Sequence, residues 1–230
     1  MEQVKGIFDS HAHYDDERFA DDRETVIAAQ REHGVSWILN AGCSLESSLA
    51  GAALGEQYDF FFSSAGIHPG DIDGLPADYL KRLEMLLTKP KVVAVGEIGL
   101  DYHYQPYDRN KQIRIFTEQM ELAQSLKKPV IIHSREATED TLSVLRQFPK
   151  VTGVVHCFSG SDQTAVQVLD FGYLIGFTGV VTFSNARKPI KAAAVVPLDR
   201  LLLETDAPYM APVPFRGKRC TCLLYTSRCV

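Results

Sequence analysis

The sequence contains no apolar run approaching the ~18 residues that suggest a membrane-spanning helix, and no block of lysine and arginine. Its N-terminal stretch MEQVKGIFDSHAHY lacks the basic-then-apolar order of a secretory leader, so neither export nor a membrane span is expected. With 24 basic against 29 acidic residues and a formal net charge of −5, the chain carries no basic footprint of a passive nucleic-acid-binding module. An enzyme whose metals supply the local positive charge is still compatible with that balance. Cysteine is sparse where it would matter: only Cys43 and Cys157 precede residue 220, which fits a reduced, cytoplasmic protein without a disulfide framework. Internal repeats, low-complexity runs and linkers are missing too, so the 230 residues read as one domain of a size usual for an α/β barrel, about 200–250 residues.

What is present is a regular alternation. Eight short β-rich apolar runs stand out: VKGIFDSH, VSWILNAG, DFFFSSAGIH, KVVAVGEIG, PVIIHS, TGVVHCF, GYLIGFTG and RLLLETDAP. They are nearly continuous in hydrophobicity, as parallel strands buried on both faces are. Amphipathic segments lie between them. DDRETVIAAQREHG opens acidic and closes on Gly34; PADYLKRLEMLL places a proline at a first helical position; RNKQIRIFTEQMELAQSLKK sets Ile113, Phe116, Met120 and Leu126 near one stripe. EATEDTLSVLRQF, DQTAVQVLDFG and PIKAAAVV complete the set. Eight strands alternating with helices predict a (β/α)8 TIM-type barrel, with an open doubly wound sheet as the alternative.

Ionisable residues gather where these strands end: His11 and His13 after the first, His68 after the third, Glu97 after the fourth, His133 after the fifth, His156 after the sixth, Glu204 and Asp206 after the eighth. Residues i and i+2 of a strand share a face, so His11 and His13 address one object. Any one of these histidines, taken alone, reads equally as a satisfied core or surface residue, and Asp206 before Ala-Pro as a turn residue. Together they occupy the rim at which barrel active sites are built. Four imidazoles and two carboxylates suffice for two divalent ions sharing one carboxylate. Imidazole suits Zn, Mn, Fe or Ni and all-oxygen sites suit Mg, so composition leaves the metal open. Paired ions of this kind activate water and clamp the oxygens of a displacement.

The blocks DSHAHYDD, GIHPGD, GEIGLDYH, PVIIHSRE, HCFSGS and LLLETDAP, in this order, resemble the TatD family of metal-dependent deoxyribonucleases of the amidohydrolase superfamily, from about Ile7 to Arg219. The resemblance implies a TIM-type barrel and a 3′-5′ exodeoxyribonuclease acting on single-stranded DNA with two divalent ions, Mg or Mn. It implies His11, His13 and Asp206 on one ion, His133 and His156 on the other, and Glu97 bridging them where many amidohydrolases have a carboxylated lysine. Glu204 and His68 would orient the scissile phosphate or the attacking water, and Asp206 could accept the water's proton while ligating. Arg135 is a candidate phosphate contact, and Tyr102, Tyr104 and Phe158 are candidates either for base stacking or for pocket walls. A monomer is expected. After PVPFRGKR the text changes to CTCLLYTSRCV, with three cysteines and no helical period. Residues 1–219 are therefore expected to form the barrel and 220–230 a non-family tail, leaving the barrel without its last helix. The alternatives are an amidohydrolase cleaving a C–N or lactone bond on the same metal site, or a truncated, inactive product.

Overall fold

Parallel strands with both faces covered need a helix in every crossover, and the chain supplies one each time. The computed structural model describes residues 5–221. It runs β1 (Ile7–Ala12), α1 (Arg23–Glu32), β2 (Val35–Asn40), α2 (Leu45–Gln57), β3 (Phe61–Ala65), α3 (Tyr79–Leu87), β4 (Val92–Asp101), α4 (Arg109–Leu126), β5 (Val130–Arg135), α5 (Thr138–Gln147), β6 (Gly153–Val155), α6 (Asp162–Asp170), β7 (Leu174–Phe177), α7 (Arg187–Val195) and β8 (Leu201–Leu203). The strands pair in parallel in sequence order, β1 to β8. The ring closes with the Ala12–Ala207 bridge and with Asp206 N–H donating to the His11 carbonyl at 2.9 Å and His13 N–H to that of Ala207 at 2.6 Å. This is the expected (β/α)8 barrel.

Two packing layers follow from strand alternation. Outward residues such as Val92, Val130, Ile132 and Val155 meet Leu83, Phe116, Met120, Leu142 and Val168 of the helices in one large apolar cluster. Inside the barrel, Ala94, Ile131 and Val154 pack with Leu39, Leu174 and Leu202 and plug its lower half. Above this plug the inward positions turn polar.

The helix α2 has no counterpart among the expected elements. Its sequence, LESSLAGAALGEQ, carries no amphipathic stripe because its buried face is built from Ser48, Gly51, Ala52 and Gly55. Close approach demands those small residues: a Cβ on Gly51 would lie 2.9 Å from Asn40 Nδ2 and 3.3 Å from Ser63 Cβ. The helix α3 begins at Tyr79 with Asp78 as its cap, three residues after Pro76, so the proline lies in the preceding turn and not at the first helical position. Strand β4 extends to Asp101, which puts Glu97 inside the strand instead of at its end.

Among the described residues no helix follows β8, and the outward side chains of Phe8, Trp37 and Leu203 on β1, β2 and β8 are 40, 48 and 48 % exposed. Cys220, the first residue of the expected tail, is buried, and its N–H donates to the Pro208 carbonyl at 2.9 Å. Residues 222–230 of that tail lie outside the described residues. None of the described helices is long and apolar enough to cross a membrane.

Candidate metal centre

At the C-terminal rim of the barrel lies an open cavity of about 430 Å³, lined by His13, His68, Glu97, His133, His156 and Asp206 among others. His11 is fully buried at its floor. The inward alternation of β1 brings the Nε2 atoms of His11 and His13 within 3.1 Å of each other. Asp206 Oδ1 lies 3.3 Å from His13 Nε2 and 3.7 Å from His11 Nε2. On the far side, His133 Nδ1 and His156 Nε2 are 3.3 Å apart. Glu97 touches both groups. Its Oε1 is 2.9 Å from His133 Nδ1 and 2.7 Å from His156 Nε2, while its Oε2 is 3.3 Å from His11 Nε2 and 3.7 Å from His13 Nε2.

Hydrogen bonding shows which ring nitrogens carry protons. The His13 Nδ1–H donates to the Ala41 carbonyl at 3.0 Å, because a carbonyl can only accept; Nε2 is left with a lone pair facing inward. The His133 Nε2–H donates to Asp101 Oδ2 at 3.1 Å, so its Nδ1 lone pair faces a Glu97 oxygen. Two acceptors held at 2.9 Å repel unless a cation or proton lies between them. His11 stacks on His156 with ring centroids 3.8 Å apart, and burial together with that neighbour lowers the His11 pKa to about 4. The other three rings go the opposite way: against the effect of burial, Cys43 and Asp206 raise the His13 pKa well above its ordinary value, Asp101 and Glu97 raise that of His133 to about 9, and Glu97 raises that of His156. Carboxylates that draw positive charge into a buried cluster of imidazoles fit divalent ions, which would compete with those protons. His11, His13 and Asp206 are one group that could hold a metal ion, His11, Glu97 and His156 another, and His68, Glu97 and His133 a third. Burial alone would raise the Glu97 pKa, yet His156 and His11 hold it well below the ordinary value, so the shared carboxylate is anionic.

The other expected site residues divide. His68 follows β3, lines the cavity and brings Nε2 to 3.8 Å from Glu97 Oε1. Its Nδ1 accepts from Gly70 N–H at 3.0 Å, which leaves the proton on Nε2. Burial, then His133, lowers its pKa to about 3, so the ring is neutral. Glu204 does not line the cavity. It is buried inside the barrel, in space left by the missing side chain of Gly176, where it accepts a hydrogen bond from Cys157 N–H and sits 3.7 Å from His156 Nδ1. Burial raises its pKa to about 8. The sequence reading has it facing the phosphate or the water; the structure puts it behind His156.

Several participants have no place in the sequence reading. Asp101 orients His133 and shares the inward face of β4 with Glu97, four residues earlier, which strand alternation would have signalled. Cys43 Sγ lies 3.6 Å from Glu97 Oε2. Asp9, two residues before His11, is buried and accepts from Thr205 N–H at 3.0 Å and Thr205 Oγ1–H at 2.8 Å. Burial raises the Asp9 pKa to about 7. This pair fastens β1 to the loop carrying Asp206, whose backbone holds a left-handed φ of 56°. Of the aromatic candidates, Tyr104 is exposed at the cavity mouth. Tyr102 instead donates to Asp140 Oδ2, and Phe158 is buried over Gly160.

A TIM-type barrel with a cluster of imidazoles and carboxylates at its C-terminal rim defines the class: a metal-dependent hydrolase. Residues 8–227 match the family model described as TatD related DNase, and the chain belongs to that family. An uncharacterized metal-dependent hydrolase of Escherichia coli K12, YcfH, is 42 % identical over 218 residues, covering 92 % of this chain and 81 % of that protein. A Cronobacter turicensis protein named 3′-5′ ssDNA/RNA exonuclease TatD is 38 % identical over 209 residues, covering 90 % and 80 % of the two chains. The crystal structure of YJJV, a TatD homologue from Escherichia coli K12, superposes with a TM-score of 0.90 at 34 % identity, covering 96 % of this chain and 86 % of that one.

Proposed function

We propose that the chain shortens single-stranded DNA from its 3′ end, hydrolysing phosphodiester bonds with two divalent ions, Mg or Mn. His11, His13 and Asp206 would hold one ion, His133 and His156 the other, and Glu97 would be shared. The observation that carries this reading is Glu97 itself: each of its two oxygens faces a different pair of imidazoles. When bound, the ions would acidify a water and neutralise charge growing on the phosphoryl oxygens. Nucleic acid as substrate is supported by the Cronobacter relative, which is named a 3′-5′ ssDNA/RNA exonuclease.

The chain's own residues have definable tasks in such a reaction. Asp206, held below the ordinary carboxylate range by His13 and His11 against the effect of burial, is an anion at the cavity wall and takes the proton that the attacking water gives up. His68, neutral with its proton on Nε2, would donate a hydrogen bond from that N–H to a phosphoryl oxygen and keep the proton. Asp101, at the cavity wall, fixes the His133 ring, and Glu204 backs His156 from behind without meeting substrate. The free thiols Cys43, Cys157 and Cys220 suit a reducing compartment, and the reading places the protein in the cytoplasm.

The test is incubation of a 5′-labelled single-stranded DNA oligonucleotide with Mg or Mn, with and without EDTA. A ladder shortened one nucleotide at a time, absent with EDTA, is the expected result. An intact oligonucleotide, from protein shown to be folded by circular dichroism and loaded with metal, would overturn the reading.

A further inference from the structure

Two arginines beside the metal cavity are held by aromatic rings and, among the described residues, by no carboxylate. Arg82, Arg109, Arg114 and Arg219 are ion-paired with carboxylates. Arg18 and Arg135 have no ion pair among the described residues and lie instead over tyrosine rings. The Arg135 guanidinium carbon is 5.0 Å from the Tyr104 ring centroid, and its Nη1–H donates to the Tyr104 hydroxyl at 3.1 Å. The Arg18 guanidinium carbon is 4.6 Å from the Tyr209 ring centroid. Tyr209 is further fixed by its hydroxyl, which donates to Asp16 Oδ2 at 2.7 Å, and by His13, whose ring centroid lies 6.1 Å away.

Both tyrosines line the cavity that holds the metal ligands, and both are solvent-facing, Tyr104 at 67 % and Tyr209 at 38 % exposure. Tyr104 and Arg135 lie just beyond β4 and at the end of β5; Arg18 and Tyr209 lie in the segments after β1 and β8. In a ring of strands ordered β1 to β8, these two positions lie across the barrel axis from each other. The mouth therefore carries, on either side of the ligand cluster, an aromatic ring with a cation over it. Such a pair offers what a nucleotide presents: a flat base to stack and a phosphate to neutralise.

We propose that Tyr104 with Arg135, and Tyr209 with Arg18, are two nucleotide-binding stations on opposite sides of the metal centre, holding a single strand across the cavity with its scissile phosphate between them. This rests on the phosphodiesterase reading above and adds the path of the strand. A duplex does not fit the scheme, because its bases are stacked on each other and unavailable to the tyrosines. Neither station reads base edges, so the strand is held with little sequence preference.

The experiment compares kcat/KM on an oligonucleotide carrying normal bases with that on the same oligonucleotide bearing abasic spacers on both sides of the bond cleaved. The wild type prefers the base-bearing strand by about tenfold or more, the size of one or two stacked bases. Tyr104→Ala and Tyr209→Ala each lose much of that preference, whereas Tyr104→Phe, which keeps the ring, retains it. Arg18→Gln and Arg135→Gln each reduce the slope of log(kcat/KM) against log salt by about one. A wild type that cleaves both strands equally, or alanine variants that keep the preference, would overturn the stations and leave the phosphodiesterase standing. Failure of the wild type to cleave either strand would overturn the phosphodiesterase reading, and the stations with it.

Discussion

Asp9 never reaches the cavity, yet its replacement by asparagine is expected to weaken metal binding. Its two oxygens receive the N–H and the hydroxyl of Thr205, at 3.0 and 2.8 Å, and the same Thr205 oxygen accepts from Ala207 N–H at 3.0 Å. These bonds hold the turn in which Asp206 keeps its left-handed backbone with its carboxylate toward His11 and His13. Asp9→Asn preserves shape but offers one acceptor where two buried donors need one each, which costs about 2 kcal/mol. For a chain of this length that is a fall in Tm of roughly 4–8 °C. Loss of a hydrogen bond that orients a ligand lowers metal affinity by about 10–100-fold, and the drop should fall on the His11, His13 and Asp206 group. Calorimetric titration with Mn at pH 8, above the value of about 7 to which burial raises Asp9, reads the affinity; a melt in EDTA reads the stability. Thr205→Ser keeps the hydroxyl and should bind Mn nearly as the wild type does. If Asp9→Asn melts lower but binds both ions unchanged, the clamp is merely structural and the reasoning is refuted.

Three other perturbations test different links. Glu97→Gln removes the one charge common to both ligand groups; Mn stoichiometry should fall from two to one or none, and kcat by about a thousandfold, some 4 kcal/mol. Retention of two ions and near-normal turnover would contradict the shared role. Glu204 has its pKa raised from 4.5 to about 8 by burial, so the folded chain keeps that proton longer than the unfolded one. Wild-type stability in EDTA therefore falls, relative to Glu204→Gln, as pH rises from about 4.5 to about 8 and levels off above, by an amount on the order of a few kcal/mol. Urea midpoints at pH 5 and pH 8 show it, and a difference that does not change with pH would speak against a buried, ionising Glu204. Gly51→Val drives a Cβ to 2.9 Å from Asn40 Nδ2, and overpacking there should cost about 1–3 kcal/mol, visible as a lower Tm.

The strands were legible because a parallel strand buried on both faces must be apolar almost throughout, and all eight runs carry strands. Most helices showed themselves by an apolar stripe. Helix α2 did not, since a helix pressed against β2 and β3 through Ser48, Gly51 and Gly55 buries smallness, and small residues leave no periodic signal. The candidate ligands were legible too: His11, His13, His133, His156 and Asp206 near strand ends, and Glu97 within β4, converge at the C-terminal rim. The supporting residues were hidden because their partners are remote in sequence. Asp9 meets Thr205, and Asp101 meets His133, only once the barrel closes and the β4–β5 register sets Gly99 beside His133. Glu204 shows the converse limit. Its block marks it as functional, but only the empty space at Gly176 decides that it turns inward behind His156.

The decisive measurement is anomalous diffraction from crystals of the wild-type protein grown with Mn. Two peaks are expected, one among His11, His13 and Asp206 and one beside His133 and His156, with Glu97 between them. A single peak, or ions away from Glu97, would contradict a shared two-ion centre.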